Sequence, residues 1–127
     1  MNQLEHLQQT LGVSYLFIGH DLATVAHISH RIAVMYLGQI VELADSLELC
    51  AKPLHPYTQA LFAAALLAQP EKRHQRLTIT GEVPSALDRP SGCRFHLRCP
   101  YAMPQSALEG PVRKEIAAQH TVACHLH

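Results

Sequence analysis

Three cysteines in the second half of this 127-residue chain have a spacing that could support metal chemistry. Cys93 and Cys99 are separated by five residues, in a loop bounded by glycine and proline, and Cys124 lies near the C-terminus. Thiolates at that spacing can bind one metal ion, and three cysteines with one histidine form an acceptable tetrahedral zinc set. The histidines that could complete the set are His96, His120, His125 and His127. Alternatively, the three cysteines are reduced, partly buried thiols that pack as small hydrophobic side chains.

His20 is the other residue whose position could serve chemistry, because it ends a short apolar run. Alone it is weak evidence, since it could simply end a strand beside Asp21, which can cap the following helix. Tight ATP binding requires a Gly-x-x-x-x-Gly-Lys-Ser/Thr loop, whose backbone N–H groups and lysine hold the phosphates. No lysine in the sequence follows a glycine. We therefore expect that the chain by itself neither binds nor hydrolyses ATP.

The composition excludes several classes of protein. Ten basic and ten acidic residues cancel, whereas a nucleic-acid binder normally carries a basic excess. The longest apolar run, residues 60–68, is about half of what spans a bilayer. The first residues lack the pattern of a signal peptide, so four cysteines suggest the reducing cytosol rather than disulfides.

The N-terminal third shows an alternation of helix and strand patterns. Leucines at helical spacing predict a helix over residues 2–11 that ends at Gly12. Residues 13–18 are almost wholly apolar, which predicts a strand buried on both faces of a parallel sheet. A helix follows Asp21, and residues 31–43 predict a hairpin with a Leu-Gly turn. One buried strand cannot form a sheet, so we expect its neighbours upstream of Met1 or in another chain.

The remainder of the chain is predicted to be less regular. Asp45 or Ser46 can cap a short helix over residues 47–51, and Pro56 can begin a longer one. Cys50, which has no cysteine neighbour, is expected to pack in the core. Residues 69–76 indicate a polar linker and residues 77–80 a short strand. Five prolines between residues 81 and 111 predict an ordered loop that needs an additional link or contact to hold it in place.

Five stretches in this order together resemble the ATP-binding subunits of oligopeptide/dipeptide ABC transporters. They are residues 15–22, 31–42, 53–58, 81–85 and 91–100. The third contains His55-Pro56-Tyr57, an element particular to this subfamily. Read from the residues alone, His55 caps a helix, Pro56 begins it and Tyr57 packs against the core, without chemistry of their own.

The resemblance implies a fold and a division of the chain. It implies an α/β fragment: residues 1–50 are the C-terminal part of an ABC ATPase (P-loop NTPase) nucleotide-binding domain. A small irregular α+β, cysteine-containing extension follows over residues 51–127. The phosphate loop, the Mg²⁺-binding strand and the signature motif of that domain are absent from the sequence. The chain therefore resembles a truncated subunit, inactive by itself.

The resemblance also implies a function. The intact subunit uses ATP and Mg²⁺ to drive import of oligopeptides or dipeptides, with permease subunits and a second ATP-binding subunit as partners. It binds no nucleic acid, is cytoplasmic, and meets the inner membrane only through those partners. The alternative function is a small cytosolic metal-binding module.

Specific residues inherit roles from the family. His20 occupies the position of the switch histidine, which senses the γ-phosphate of ATP in an intact domain. Members commonly carry another cysteine seven residues after the second, and in some relatives the four resemble iron–sulfur ligands. Here that position is Ser106. Cys93, Cys99 and Cys124 are thus candidate ligands of a [4Fe-4S] cluster or zinc, with one thiolate fewer than a cubane cluster normally uses.

Overall fold

A four-stranded antiparallel sheet organises the chain in a computed structural model that describes residues 2–66 and 79–127. The helices are α1 (Asn2–Leu11), α2 (Leu22–Ile28), α3 (Ser46–Ala51) and α4 (Pro56–Leu66), with a short 3-10 helix over Pro104–Ala107. The strands are β1 (Arg31–Tyr36), β2 (Gln39–Asp45), β3 (Lys114–Ala117) and β4 (His120–Val122). Their order in the sheet is β1-β2-β4-β3, so the C-terminal strands extend the hairpin formed by the first two.

The hairpin of β1 and β2 is the predicted one, and its turn explains the glycine. Leu37 and Gly38 both have positive φ, 46° and 76°, as a type I′ turn requires. Side chains of β1 alternate strictly between exposed and buried. Only one face of this hairpin therefore packs against the rest of the chain.

The core lies on the buried face of the hairpin. Its side chains are Ile32, Val34, Tyr36, Val41, Ala44, Leu49 and Phe95. Phe95 comes from the proline-rich loop and contacts Tyr36 edge-to-face, with ring centroids 5.1 Å apart. A second, smaller cluster joins Leu54, Val122 and Cys124. The extension thus packs on the hairpin through Phe95 in the first cluster, whereas the second cluster joins residues of the extension to one another. The predicted division at residues 50/51 stays a prediction.

Each helix predicted over the described residues is present. The helix over residues 2–11 ends at Gly12, whose φ is +65°, and Asp21 caps α2 through the backbone N–H of Ala23. Asp45 accepts hydrogen bonds from the first backbone N–H groups of α3. These helices were predictable because their signals are local: a cap, a glycine and a spacing.

The prediction of a buried strand over residues 13–18 is wrong for this structure. The segment forms no strand and is exposed throughout, with Leu16 and Ile18 exposed by 92% and 88%. The physical reason is the missing partner, because a strand forms only against another strand. The sheet of the described residues contains no parallel pair to receive this segment.

The C-terminal hairpin of β3 and β4 was not predicted. Its strands are four and three residues long, and β3 is exposed along its whole length. Such short segments carry little periodic signal. The predicted strand over residues 77–80 lies partly outside the described residues, and the part that is described, Ile79 and Thr80, is not a strand. The linker at residues 69–76 also lies outside them.

Candidate functional site

The cysteine-containing loop is held together by contacts between two of its own segments, residues 91–93 and 106–107. The backbone N–H of Cys93 donates to the carbonyl of Ser106 at 2.8 Å, and the hydroxyl of Ser91 donates to the carbonyl of Ala107 at 2.8 Å. Gly92, between them, has a φ of +66° and lies so close to residues 106 and 107 that no Cβ would fit. Within the described residues, the contacts that hold this loop together are therefore made mostly by its backbone.

Residues 93–102 form a series of tight turns that present Cys93 and Cys99 on one side. The N–H of His96 donates to the carbonyl of Cys93 at 3.0 Å, and that of Ala102 donates to Cys99 at 3.3 Å. The ring Nδ1 of His96 also bonds the Cys93 carbonyl, at 2.8 Å. Since a carbonyl only accepts, Nδ1 is the donor, which leaves Nε2 of the neutral ring with a free lone pair.

One small cavity brings the predicted cysteines together. Cys93, Cys99 and Cys124 all line it, although Cys124 is 25 residues further along the chain than Cys99. The rest of the wall contains Ser106, which occupies the position of the family's further cysteine, and two of the histidines suggested as ligands, His96 and His125. The side chains of His55, Phe95, Tyr101 and Met103 also line the cavity. The structure therefore supports the convergence of the three thiols that spacing alone left open.

The environment of the cysteines favours protonated thiols. Burial raises the pKa of Cys93, Cys99 and Cys124. The proximity of Cys93 raises the pKa of Cys99 further, and both neighbours and Glu42 do the same for Cys124. A thiol with a raised pKa is a poor nucleophile at neutral pH. All four cysteines, including Cys50, are free.

A preformed metal site is not found in the part of the chain that the structure describes. Among residues 2–66 and 79–127, no group of three or more His, Cys, Asp or Glu side chains has the arrangement of a metal site. Ser106, at the position of the missing cysteine, is buried, and its hydroxyl already accepts a hydrogen bond from the N–H of Met103 at 3.1 Å. The role of Cys93, Cys99 and Cys124 as ligands stays a prediction.

His20 lies far from this loop in the chain and is exposed. It ends the exposed segment at residues 13–20, which has no regular secondary structure, and the next residue caps α2. Asp21 accepts hydrogen bonds from the backbone N–H of Ala23 at 3.2 Å and from the hydroxyl of Thr24. The Thr24 bond is the main reason that the pKa of Asp21 lies below its usual value. Exposure leaves His20 available to contact another part of a larger assembly.

The His-Pro-Tyr element has the structural role that its residue types predict. The ring Nδ1 of His55 accepts the N–H of Tyr57 at 3.1 Å, and Pro56 is the first residue of α4. The ring of Tyr57 lies 4.8 Å from that of Tyr36 and 5.5 Å from that of Phe95. Burial lowers the pKa of His55 to about 4, so this imidazole is neutral at physiological pH.

A buried polar pair, Glu42 with His120, is the feature that the sequence did not indicate. Their side chains are 0% and 1% exposed, and Nε2 of His120 lies 2.8 Å from Oε1 of Glu42. For Glu42, the available signal was a charged residue within an apolar strand. His120 was considered only as a possible metal ligand. The two residues are 78 positions apart, so no local pattern connects them.

Comparison with known proteins finds relatives over nearly the whole chain. The family model for the C-terminal region of oligopeptide/dipeptide transporters matches residues 41–105, just over half of the chain. A probable peptide ABC transporter ATP-binding protein of Sinorhizobium fredii is 49% identical over 126 residues, which are 99% of this chain and 36% of that protein. The oligopeptide transport ATP-binding protein AppF of Bacillus subtilis is 46% identical over 129 residues, 100% of this chain and 39% of that protein.

A third relative extends the pattern to another genus. A putative peptide import ATP-binding protein of Brucella ovis is 45% identical over 124 residues, 98% of this chain and 39% of that protein. The chain thus spans less than two fifths of the length of these relatives. None of the helices in residues 2–66 and 79–127 combines the length and the apolar character that crossing a bilayer requires. The family match and these identities show that the chain belongs to the oligopeptide/dipeptide transporter family, in which it corresponds to the C-terminal region.

Proposed function

We propose that this chain is the C-terminal portion of the ATP-binding subunit of a peptide-importing ABC transporter. The observation that carries the proposal is similarity over 98% to 100% of the chain to proteins named as ATP-binding subunits for peptides. In the intact subunit, ATP and Mg²⁺ bind to the part that this sequence lacks. Permease subunits and a second ATP-binding subunit are its partners, at the cytoplasmic face of the inner membrane.

The exposed segment at residues 13–20 supports this proposal from the structure. Most of its residues are apolar and it has no regular secondary structure, yet Leu16 and Ile18 are almost fully exposed. Large apolar side chains adjacent in an extended segment are typical of a strand that is buried in a sheet. Strands from the remaining two thirds of such a subunit would supply both the hydrogen bonds and the cover.

His20 receives a defined role in that arrangement. An imidazole at the end of a core strand donates a hydrogen bond to the γ-phosphate and helps to position the attacking water. Phosphoryl transfer is catalysed mostly by positioning and charge stabilisation, so such a donor affects hydrolysis more than binding. The exposed position of His20 beside the cap of α2 is compatible with contact to a nucleotide held by another part of the subunit.

A chimera tests the proposal without requiring the chain to act alone. The C-terminal region of the Sinorhizobium fredii relative is replaced by this chain, and ATP hydrolysis and peptide uptake are measured. We expect both activities to be retained. In the chimera, His20→Ala should lower hydrolysis by about 100-fold while ATP binding persists, as for loss of one charge-stabilising donor.

His27→Ala is the matched control, because His27 is also exposed and lies seven residues further along the chain. It should leave hydrolysis within about twofold, as surface substitutions usually do. An inactive chimera would contradict the assignment of the chain. Equal hydrolysis by the His20→Ala and His27→Ala chimeras would contradict the role of His20 but not the assignment.

A metal-binding module is the second candidate, and the shared cavity of Cys93, Cys99 and Cys124 is the observation that favours it. The test is to purify the protein without oxygen and to measure its iron, sulfide and zinc content and its visible spectrum. Stoichiometric metal that is lost on Cys93→Ala would support the module. Metal-free protein with three titratable thiols would support simple packing.

A further inference from the structure

The buried carboxylate of Glu42 joins three separate parts of the chain. It lies in the middle of β2 and is 0% exposed. Its Oε1 accepts the backbone N–H of Leu54 at 2.7 Å and Nε2 of His120 at 2.8 Å, while its Oε2 accepts the N–H of His55 at 2.9 Å. Glu42 thus accepts hydrogen bonds from the segment before α4 and from strand β4 at the same time. Loss of any one partner would leave a buried group unsatisfied.

Within the described part of the chain, His120 is the residue of β4 whose side chain forms a hydrogen bond with Glu42. It is 1% exposed, and its Nδ1 faces a second carboxylate, Oε1 of Glu48 in α3, at 3.5 Å. Glu48 is 44% exposed, and 3.5 Å is longer than a good hydrogen bond, so this second contact is much the weaker one. The strong contact of His120 is therefore the one to Glu42.

The backbone contact between β2 and β4 is very short. Two residue pairs, Glu42 with Val122 and Leu43 with Thr121, define the ladder, and the N–H of Ala123 adds one bond to the carbonyl of Val41 at 2.8 Å. So few bonds hold a strand only marginally in water. The buried pair is consequently a major part of what keeps β4 against the sheet.

The placement of Cys124 depends on this docking. Cys124 directly follows the ladder, is 7% exposed, and packs with Leu54 and Val122 at the edge of the cysteine cavity. Cys93 and Cys99 are held differently, by the backbone turns of their own loop. Detachment of β4 would therefore remove Cys124 from the cavity and leave the other two thiols in place.

We propose that the Glu42–His120 pair is a clasp that determines whether Cys124 lies in the cavity beside Cys93 and Cys99. When the clasp is closed, the C-terminal hairpin is docked and the three thiols share one site. When it is broken, β4 leaves β2 and the Cys124 thiol becomes accessible. This arrangement holds whether or not a metal binds, and it does not depend on the transport function.

The other contacts of the C-terminal segment are closer to the surface and do not replace the clasp. Nζ of Lys114 donates to the carbonyl of His127 at 2.7 Å, and Nε2 of His125 lies 2.8 Å from the carbonyl of Glu109. Both are exposed contacts, which contribute little because water competes for the same groups. They do not connect the hairpin to β2. A further hydrogen bond does, from Nη2 of Arg113 to the carbonyl of Ile40 at 3.2 Å, and it is likewise exposed.

Labelling of the native protein with N-ethylmaleimide, followed by mass spectrometry of each cysteine peptide, tests the clasp. His120→Leu removes the Nε2 hydrogen-bond donor and replaces the imidazole with an apolar side chain. We expect it to increase the labelling rate of Cys124 by at least about tenfold, because one partner of a buried pair is lost. Labelling of Cys93 and Cys99 should change by less than about twofold. His120→Gln retains a donor and should stay near the parent rate.

Ile32→Ala is the control for general destabilisation, because Ile32 is buried in the core of the hairpin and pairs with Ala44 rather than with Glu42. It should accelerate the labelling of all three thiols alike. The clasp is refuted if His120→Leu behaves like Ile32→Ala or leaves Cys124 protected. If His120→Leu does not fold, the same measurement on Glu42→Gln decides. Selective exposure of Cys124 supports the clasp, and uniform exposure or none refutes it.

Discussion

Replacing Gly92 by alanine tests whether close backbone approach holds the cysteine loop together. A Cβ at position 92 would lie 2.4 Å from the carbonyl oxygen of Ser106, and 2.7 Å and 2.9 Å from the carbonyl carbon and oxygen of Ala107. All three neighbours are backbone atoms, so no flexible side chain can move aside. Gly38 is the matched control, since its φ is also positive but its nearest neighbour is the end of the Arg94 side chain at 3.7 Å.

The expected magnitudes follow from these two environments. Both substitutions place alanine in the left-handed region, which costs about 1–2 kcal/mol. At position 92 the two segments must also separate by about 1 Å to reach ordinary contact. That movement lengthens the bonds from Cys93 to Ser106 and from Ser91 to Ala107, each worth about 1 kcal/mol. We expect a loss of about 3–4 kcal/mol for Gly92→Ala and about 1–2 kcal/mol for Gly38→Ala.

Urea unfolding followed by circular dichroism measures both losses in free energy of unfolding. A difference of about 2 kcal/mol corresponds to roughly 10 °C in the melting temperature of a domain of this size. The slopes of the two transitions should agree, since neither variant changes the surface exposed on unfolding. Equal losses for Gly92→Ala and Gly38→Ala would refute the reasoning, because only the φ penalty would then remain.

Three further outcomes are expected. The stability that neutral His55 contributes is present above pH 6.5 and should be lost as pH falls to about 4, by up to about 3 kcal/mol, because the unfolded chain binds the proton first. His55→Gln should remove that part of the pH dependence of the urea midpoint. Phe95→Ala should cost about 3–5 kcal/mol in urea unfolding, whereas Leu97→Ala, at an exposed position, should change stability by less than about 0.5 kcal/mol. The exposed side chains of Leu16 and Ile18 are expected to make the chain self-associate, and Leu16→Glu combined with Ile18→Glu should reduce that association in light scattering. A parent protein that is already monomeric would contradict this.

Local signals predicted the helices and the first hairpin because each depends on residues close in the chain. Asp21 and Asp45 cap helices from the position just before them, and Gly38 completes a turn between adjacent strands. The strand at residues 13–18 failed for the opposite reason. Its pattern describes a buried environment that the described residues do not supply, so apolar character alone did not produce a strand.

The candidate site was predictable in its residues but not in its arrangement. Spacing placed Cys93 and Cys99 in one loop, whereas Cys124 was grouped with them by its residue type and not by any local spacing. The connection is made by the pairing of β4 with β2, in strands too short to be recognised. Raised thiol pKa values are likewise a consequence of burial and proximity, which no spacing rule supplies.

The sequence by itself determined the family, through motifs spread over nearly the whole chain, and the local elements whose caps and turns are encoded within a few residues. Only the tertiary structure decided that Glu42 meets His120 in the core and that three distant thiols share a cavity. Caps and turns are formed by residues that are neighbours along the chain, so they can be predicted from the local sequence. Contacts between residues 78 positions apart exist only after the sheet has paired, and that pairing depends on the energy of the whole fold.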